Sequence, residues 1–311
     1  MRALVAAAAR RARAPPWQSW IGRRPLHMRP LHPDFGVELV DVDLTSLDSN
    51  AFVEVERAVE EHSVVLAAGQ RFDDDSQVAF TRRFGELEHN HVKLGQSGVK
   101  QYFYRIGNID DEGNQLPSDD RHVRFSTGNE MWHSDSSFRP VPAKLSISHA
   151  KEVSAEGGEL EFVSTRAAYR ALPDALKEKL SGLAAVHDYV FSRSKVGADV
   201  VAPSHAESLP PVRQKLVRRN PTTGDLNYYI GSHARDIVGW SWEASRELLD
   251  ELLERATAPG RIYTHRWSPG DLLIWDNRCV LHRGRPFDAD RHRRRMHQTR
   301  ALCESSTLEE A

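Results

Sequence analysis

Residues 128–138 read GNEMWHSDSSF, and far along the chain residues 272–287 read LLIWDNRCVLHRGRPF. In the first stretch His133 and Asp135 are separated by one residue. On an extended strand, residues i and i+2 project from one face, so an imidazole and a carboxylate reach a single ion without backbone distortion. The second stretch carries His282 at the end of an apolar, β-branched run, a strand end that can open into a cavity mouth. Two histidines and one carboxylate on one face of an octahedron leave three positions open, the arrangement of non-haem Fe(II) oxygenases. The His-x-Asp spacing alone is weak, because the chain holds 15 histidines and repeats the spacing at His32 and Asp34. There Pro33 intervenes and a basic tail adjoins, which argues against a rigid buried site.

Around these stretches, short apolar runs alternate with amphipathic segments. Residues 49–62 place Phe52, Val53, Val55 and Val59 at helical spacing, and SVVLAAG at 63–69 reads as a buried strand. Asp73 to Asp75 can cap a second helix ending near FGEL at 84–87. Residues 167–183 and 242–256 read as further helices. A strand-like RIYTHRW at 261–267 and a PGD turn at 269–271 then lead into a strand-like LLIWDNRCVLH. Residues 192–213 show no periodicity and are long for a loop, which leaves a lid or a surface segment. Without an internal repeat or low-complexity linker, residues 28–311 read as one catalytic domain behind a tail at 1–27.

Forty-two basic residues nearly balance 44 acidic ones, giving a formal charge of -2 and no general electrostatic attraction to nucleic acid or anionic membranes. No apolar run approaches the roughly 20 residues a spanning helix needs. The 2 cysteines, Cys279 and Cys303, suit neither a disulfide framework nor a zinc motif, as in a reducing compartment. Between Met1 and Pro33 there is no acid, and Arg2, Arg10, Arg11, Arg13, Arg23 and Arg24 are interleaved with alanines. That is the composition of a mitochondrial transit peptide, but Met28 immediately precedes globular sequence and is an alternative start, so location stands between mitochondrial and cytoplasmic.

WHSDSSF at 132–138, GGELEF at 157–162 followed by TRAAYRALP, YIGSHA at 229–234 and WDNRCVLHRGRP at 275–286 together resemble the TauD/TfdA family of 2-oxoglutarate-dependent dioxygenases. The resemblance runs from PLHPDFGVEL at 30–39 to the arginine-rich end. It implies a mainly β fold with α-helices, a double-stranded β-helix or jelly roll, and iron held by His133, Asp135 and His282. Oxygen and 2-oxoglutarate would be the co-substrates, and a small organic acid, aryloxyalkanoate-like or a sulfonate, would be hydroxylated with release of succinate and carbon dioxide. An arginine two residues before the Met of the final strand would pair with the distal carboxylate of 2-oxoglutarate, which is Arg294, or Arg293 if the preceding loop aligns one residue differently. Trp275 matches a position lining that pocket and Asn129 one near substrate, with packing and capping roles open for both.

Two departures bear on the ligands. The family usually has threonine at Leu160, whose hydroxyl bonds 2-oxoglutarate, and often a second arginine for an anionic substrate at Gln298, for which Arg300 could substitute if strand register permits. His89, His91 and Lys93 lie where relatives contact substrate, with solvated loop residues the simpler reading. The alternatives are a metal-dependent hydrolase using the same His/Asp/His set, which leaves Arg294 without a purpose, and a catalytically silent barrel that binds ligands. The expected partner is a small anionic molecule, with no nucleic acid and no membrane, in a monomer or a homo-oligomer.

Overall fold

Two β-sheets face each other across an apolar interior, and the alternation of their strands decides which side chains meet there. The computed structural model describes residues 26–90, 98–197, 201 and 203–310. Residues 1–25, with the arginine-rich segment, and His91 and Lys93 therefore lie outside the described residues. The large sheet has seven strands in the order Met28–Pro30, Val37–Leu39, Val64–Ala67, Leu272–Asp276, Ala143–Glu152, Arg295–Leu302 and Tyr104–Gly107. The facing sheet pairs Leu160–Ser164 between Tyr263–His265 and Val280–Gly284. Among these strands only Val37–Leu39 and Val64–Ala67 pair in parallel.

Val64, Leu66, Leu273 and Trp275 point inward from the large sheet and meet Leu160, Phe162 and Val280 of the small one. Their neighbours Val65, Ala67, Leu272 and Ile274 point the other way, onto Phe52, Val55 and Val59 of the helix Ser49–His62 and Phe80 of the helix Asp74–Arg82. Burial on both faces is why VVLA and LLI read as continuous apolar runs. This is the jelly roll with surrounding helices.

Several helices begin where a side chain satisfies their free N–H groups. Asp48 accepts from Ala51 N, Asp73 and Ser76 form a capping box, and Ser241 caps Trp242–Ala256. That last helix buries Leu248, Leu249 and Leu252 in a third cluster with Ile230 and Leu281.

Three sequence expectations are corrected. Residues 167–183 do not form one helix; Thr165–Arg170 and Asp174–Leu180 are separate, because Pro173 cannot continue a helical ladder and sits as the N-cap of the second. LLIWDNRCVLH is not one strand but two, Leu272–Asp276 and Val280–Gly284, belonging to opposite sheets. The crossing is pinned by buried charge: Arg278 Nε donates to Asp276 Oδ1 at 2.8 Å and its Nη2 to Glu60 Oε2 at 2.6 Å. Finally, residues 192–213 are not an aperiodic loop, since Tyr189–Ser194 and Pro203–Ser208 are helical, while 198–200 and 202 lie outside the described residues.

Away from the cavities, His187 is fully buried, its ring stacked on Tyr229 at 5.3 Å, and burial pulls it down to about 3. The unfolded chain takes up a proton near the ordinary value of about 6.5, whereas the folded chain resists until about 3, so His187 costs stability as pH falls between them. Urea unfolding at pH 7 and pH 5 should show His187→Leu losing roughly 2 kcal/mol less than the parent chain over that step. Equal losses would show that His187 is protonated in the folded state.

Candidate active site

The jelly-roll interior places a cluster of donors where the two sheets open. His133 and Asp135 are not on a regular strand, contrary to the sequence expectation. His133 makes an isolated antiparallel bridge to His282, with His133 N to His282 O at 3.0 Å and His282 N to His133 O at 2.9 Å. Asp135 follows in a turn, and Ser136 behind it adopts φ 54°, a left-handed conformation costly for a residue with a Cβ. His282 is the third residue of Val280–Gly284 rather than a strand end. The bridge, not strand periodicity, sets the two imidazoles beside each other, with ring centroids 4.2 Å apart.

The nitrogen and oxygen donors of His133, Asp135 and His282 lie within 4.8 Å of one another, and all three residues are buried. His133 Nε2 is 3.7 Å from Asp135 Oδ1, and His282 Nε2 is 3.6 Å from Asp135 Oδ2. His133 Nδ1 lies 2.8 Å from Met131 O, which fixes the proton on Nδ1 and leaves the Nε2 lone pair facing the cluster. Burial pulls His282 down to about 3 and also lowers His133, so both rings are neutral donors at physiological pH. Burial pushes Asp135 up, but Arg300, ahead of His282 and His133, reverses this and holds the carboxyl below the usual carboxylate range.

Asp135 is held from three sides. Ser146 Oγ and Gln298 Nε2 donate to Oδ2 at 2.7 and 2.9 Å, and Arg300 Nη2 donates to Oδ1 at 2.8 Å. Of about four acceptor positions on a carboxylate, one remains, on Oδ1, which suits single-oxygen ligation. Asn277 links the parts: its Oδ1 accepts from Trp275 Nε1 at 3.0 Å and its Nδ2 donates to Ser146 Oγ at 2.9 Å. Two neutral imidazoles and one ionised carboxylate, dry and oriented by other groups, fit a divalent first-row metal.

The final strand sorts its residues by alternation. Met296, Gln298 and Arg300 face the interior with the preceding Arg294, whereas His297 bonds Asp74 and Arg295 lies 3.2 Å from Glu152 on the outer side. Register therefore does put Arg300 on the face of Gln298, where both hold Asp135. Arg293 is placed outside: it is exposed, its Nε donates to Glu152 Oε2 at 2.8 Å and its Nη2 to Gly113 O at 3.1 Å, and it does not line the cavity. Arg294 is buried; burial pulls its guanidinium down to about 10 against the pull of Glu159. Its Nη2 donates to Gly158 O at 3.2 Å and its Nε has no partner. A Cβ on Gly158 would lie 3.0 Å from that Nε at φ +74°, so glycine makes room for the guanidinium. One cavity of about 120 Å³ joins His133, Asp135 and His282 to Arg294, with Leu160 and Trp275 among its walls.

Asn129 lines this cavity and a second one, and its Oδ1 accepts from Arg193 Nη2 at 2.9 Å. His89 is exposed and absent from both linings. The decoy pair is engaged with backbone: His32 Nε2 contacts Gly260 O at 2.9 Å and Asp34 N donates to His32 Nδ1 at 3.1 Å. Sequence reading missed Ser146, Asn277, Trp267 and Arg193, whose positions follow only from long-range packing; for Arg193 the one hint was its place in the unassigned 192–213 stretch.

The fold and this cavity together define the 2-oxoglutarate-dependent dioxygenases as a class. The chain belongs to the taurine catabolism dioxygenase TauD, TfdA family, whose model matches residues 27–300. It is 39% identical over 286 residues to the alpha-ketoglutarate-dependent 2,4-dichlorophenoxyacetate dioxygenase of Cupriavidus pinatubonensis, covering 91% of this chain and 97% of that one. It is 35% identical over 272 residues to the (S)-phenoxypropionate/alpha-ketoglutarate-dioxygenase of Sphingobium herbicidovorans, covering 85% of this chain and 91% of that one. Among solved structures, AAD-2 in complex with Mn(II) and N-oxalylglycine superposes with a TM-score of 0.84 at 35% identity, covering 92% of this chain and 100% of that one.

Proposed function

We propose that His133, Asp135 and His282 hold one Fe(II) ion, that 2-oxoglutarate fills the cavity ending at Arg294, and that the enzyme hydroxylates a C–H bond of a small organic acid. One oxygen atom of O2 goes into the hydroxyl group and the other into succinate, with loss of carbon dioxide. When bound, the iron supplies the redox centre at which oxygen and 2-oxoglutarate are consumed together. The observation that carries this reading is the metal-competent triad sharing one cavity with Arg294, a buried cation lacking a carboxylate partner among the described residues. An α-oxo dicarboxylate needs both a metal and a distant cation; N-oxalylglycine, bound with Mn(II) in the similar AAD-2 structure, has the same two ends.

The protein residues orient and exclude water. Arg294 presents its fork to the distal carboxylate, Leu160 and Trp275 supply apolar wall to the cavity, and Gln298, Arg300 and Ser146 fix Asp135. An aryloxyalkanoate is the favoured substrate, from the two relatives above that act on phenoxy acids. Hydroxylation at the carbon bearing the ether oxygen gives a hemiacetal, which falls apart to a phenol and an oxo acid. The test is succinate formed from 2-oxoglutarate under oxygen after anaerobic Fe(II) loading, across a panel of carboxylates and sulfonates. A chain that forms no succinate with any of them, yet hydrolyses esters with zinc, would be the hydrolase.

At Leu160 the missing hydroxyl has a local substitute. Trp267 lines the same cavity, and its Nε1–H is buried without a partner. We take this indole as the second donor to the distal carboxylate. A hydrogen bond to a charged group contributes about 1.5 to 3 kcal/mol, so Trp267→Phe should raise the KM for 2-oxoglutarate roughly tenfold or more. Leu160→Thr should change it less than about threefold, since the carboxylate is already satisfied. The reverse pattern, a large gain from Leu160→Thr and none lost in Trp267→Phe, would assign the deficit to Leu160.

A further inference from the structure

Six arginines are buried among the described residues: Arg166, Arg193, Arg218, Arg278, Arg294 and Arg300. Arg166 lies 3.7 Å from Asp225, Arg278 2.6 Å from Glu60 and Arg300 2.8 Å from Asp135, and Arg218 pairs with Glu310. Arg193 and Arg294 alone of the six have no carboxylate in ion-pair range among the described residues. A buried cation with only neutral partners is costly, and an arriving anion would offset that cost. Arg294 ends the cavity assigned to 2-oxoglutarate. Arg193 lines a second cavity of about 230 Å³, which shares Asn129, His133, Asp135 and Arg300 with the first but does not include Arg294.

The other arginines of this second cavity are paired, and His233 carries no charge. Arg105 lies 3.3 Å from Asp111, Arg300 bonds Asp135 and Ser136, and burial holds His233 well below its ordinary value, hence neutral. Arg193, on the helix Tyr189–Ser194, is held by Asn129 Oδ1 at 2.9 Å, more loosely by Phe125 O at 3.4 Å, and by the Tyr189 side chain, all neutral partners, while its Nε has no hydrogen bond of normal geometry. Its guanidinium stands 4.7 Å from the Phe125 ring centroid. A Cβ on Gly128 would lie 1.9 Å from its Nη1, so glycine there leaves the slot the guanidinium occupies. Around it Phe125, Phe138, Tyr189 and His233 make the wall aromatic, with Phe138 and His233 4.8 Å apart.

We propose that Arg193 anchors the carboxylate of an aryl-bearing carboxylic acid substrate, whose ring lies against Phe125, Phe138, Tyr189 and His233. This rests on the dioxygenase reading above and assigns its substrate end. Gln298, whose amide is spent on Asp135, supplies no charge for that role; Arg193 brings it from a different element. Gly128 acts through Arg193 as a positioning residue.

The test uses the full chain with Fe(II) and 2-oxoglutarate under anaerobic conditions, with calorimetric titration of phenoxyacetate and its neutral analogue phenoxyacetamide. The parent chain should bind phenoxyacetate on the order of 100-fold more tightly than the amide. Arg193→Met should erase that preference by losing phenoxyacetate affinity on the order of 100-fold, and Arg193→Lys should recover part of it. Gly128→Ala, which displaces the guanidinium without removing it, should weaken phenoxyacetate in the same direction. The affinity for 2-oxoglutarate, titrated separately in each variant, should change less than about threefold, a readout that a merely structural Arg193 would not spare. The proposal is overturned if the parent chain does not distinguish acid from amide or binds neither, if Arg193→Met binds phenoxyacetate as the parent does, or if Arg193→Met loses both ligands together. A parent chain that does not bind 2-oxoglutarate at all fails earlier, at the dioxygenase reading.

Discussion

His282→Ala should lose stoichiometric Fe(II) and reduce 2-oxoglutarate turnover by at least on the order of a thousandfold, since metal stabilisation of a reacting centre amounts to several kcal/mol. His133→Ala should do the same. For the carboxylate the informative variant is Asp135→Asn, because Asp135→Ala would also strip the hydrogen-bond partner from Gln298 and leave Arg300 with Glu88 at 3.9 Å as its remaining ion pair. Asp34→Ala, which removes the exposed carboxylate of the decoy pair, should keep both iron and activity. Iron content by metal analysis after anaerobic loading, read beside circular dichroism to verify folding, decides the matter. Full activity in any of the three triad variants would remove that residue from the metal site.

Arg294→Met should abolish saturable 2-oxoglutarate binding, with a loss of roughly a hundredfold or more, because it deletes the buried cation of the cavity that has no carboxylate in ion-pair range among the described residues. The same substitution should raise the melting temperature of the ligand-free protein by a few degrees. An unpaired buried cation is replaced by an apolar chain of similar length, and such exchanges are neutral to stabilising. Loss of ligand together with gain of stability separates a functional cation from a structural one. A melting temperature that falls, with 2-oxoglutarate still bound, would make Arg294 part of the scaffold.

The fold was legible where burial imposes period: SVVLAAG reads as a buried strand and is one, covered on both faces, and the caps at Asp48, Asp73 and Ser241 lie where residue type places them. It was less legible where one residue redirects the chain. Pro173 divides a stretch whose apolar spacing alone reads as one helix, and the turn at Asn277 sends a continuous apolar run into two sheets. His133 and Asp135 were found by a premise that does not hold, a shared strand face, although the His133–His282 bridge reaches the same proximity. The choice between Arg293 and Arg294 is one residue of alternation, which the sequence left open; burial against ion pairing with Glu152 separates them. Arg193 meets Asn129 from 64 residues away, and no local pattern reports such a contact.

The most direct measurement is an anaerobic crystal structure of the full chain with Fe(II) and 2-oxoglutarate, collected at the iron absorption edge. The account predicts one anomalous peak bonded to His133 Nε2, His282 Nε2 and an Asp135 oxygen, with the distal carboxylate of 2-oxoglutarate paired to Arg294. A peak elsewhere, or a 2-oxoglutarate whose distal carboxylate rests on Arg193 while Arg294 stays unpaired, would contradict it.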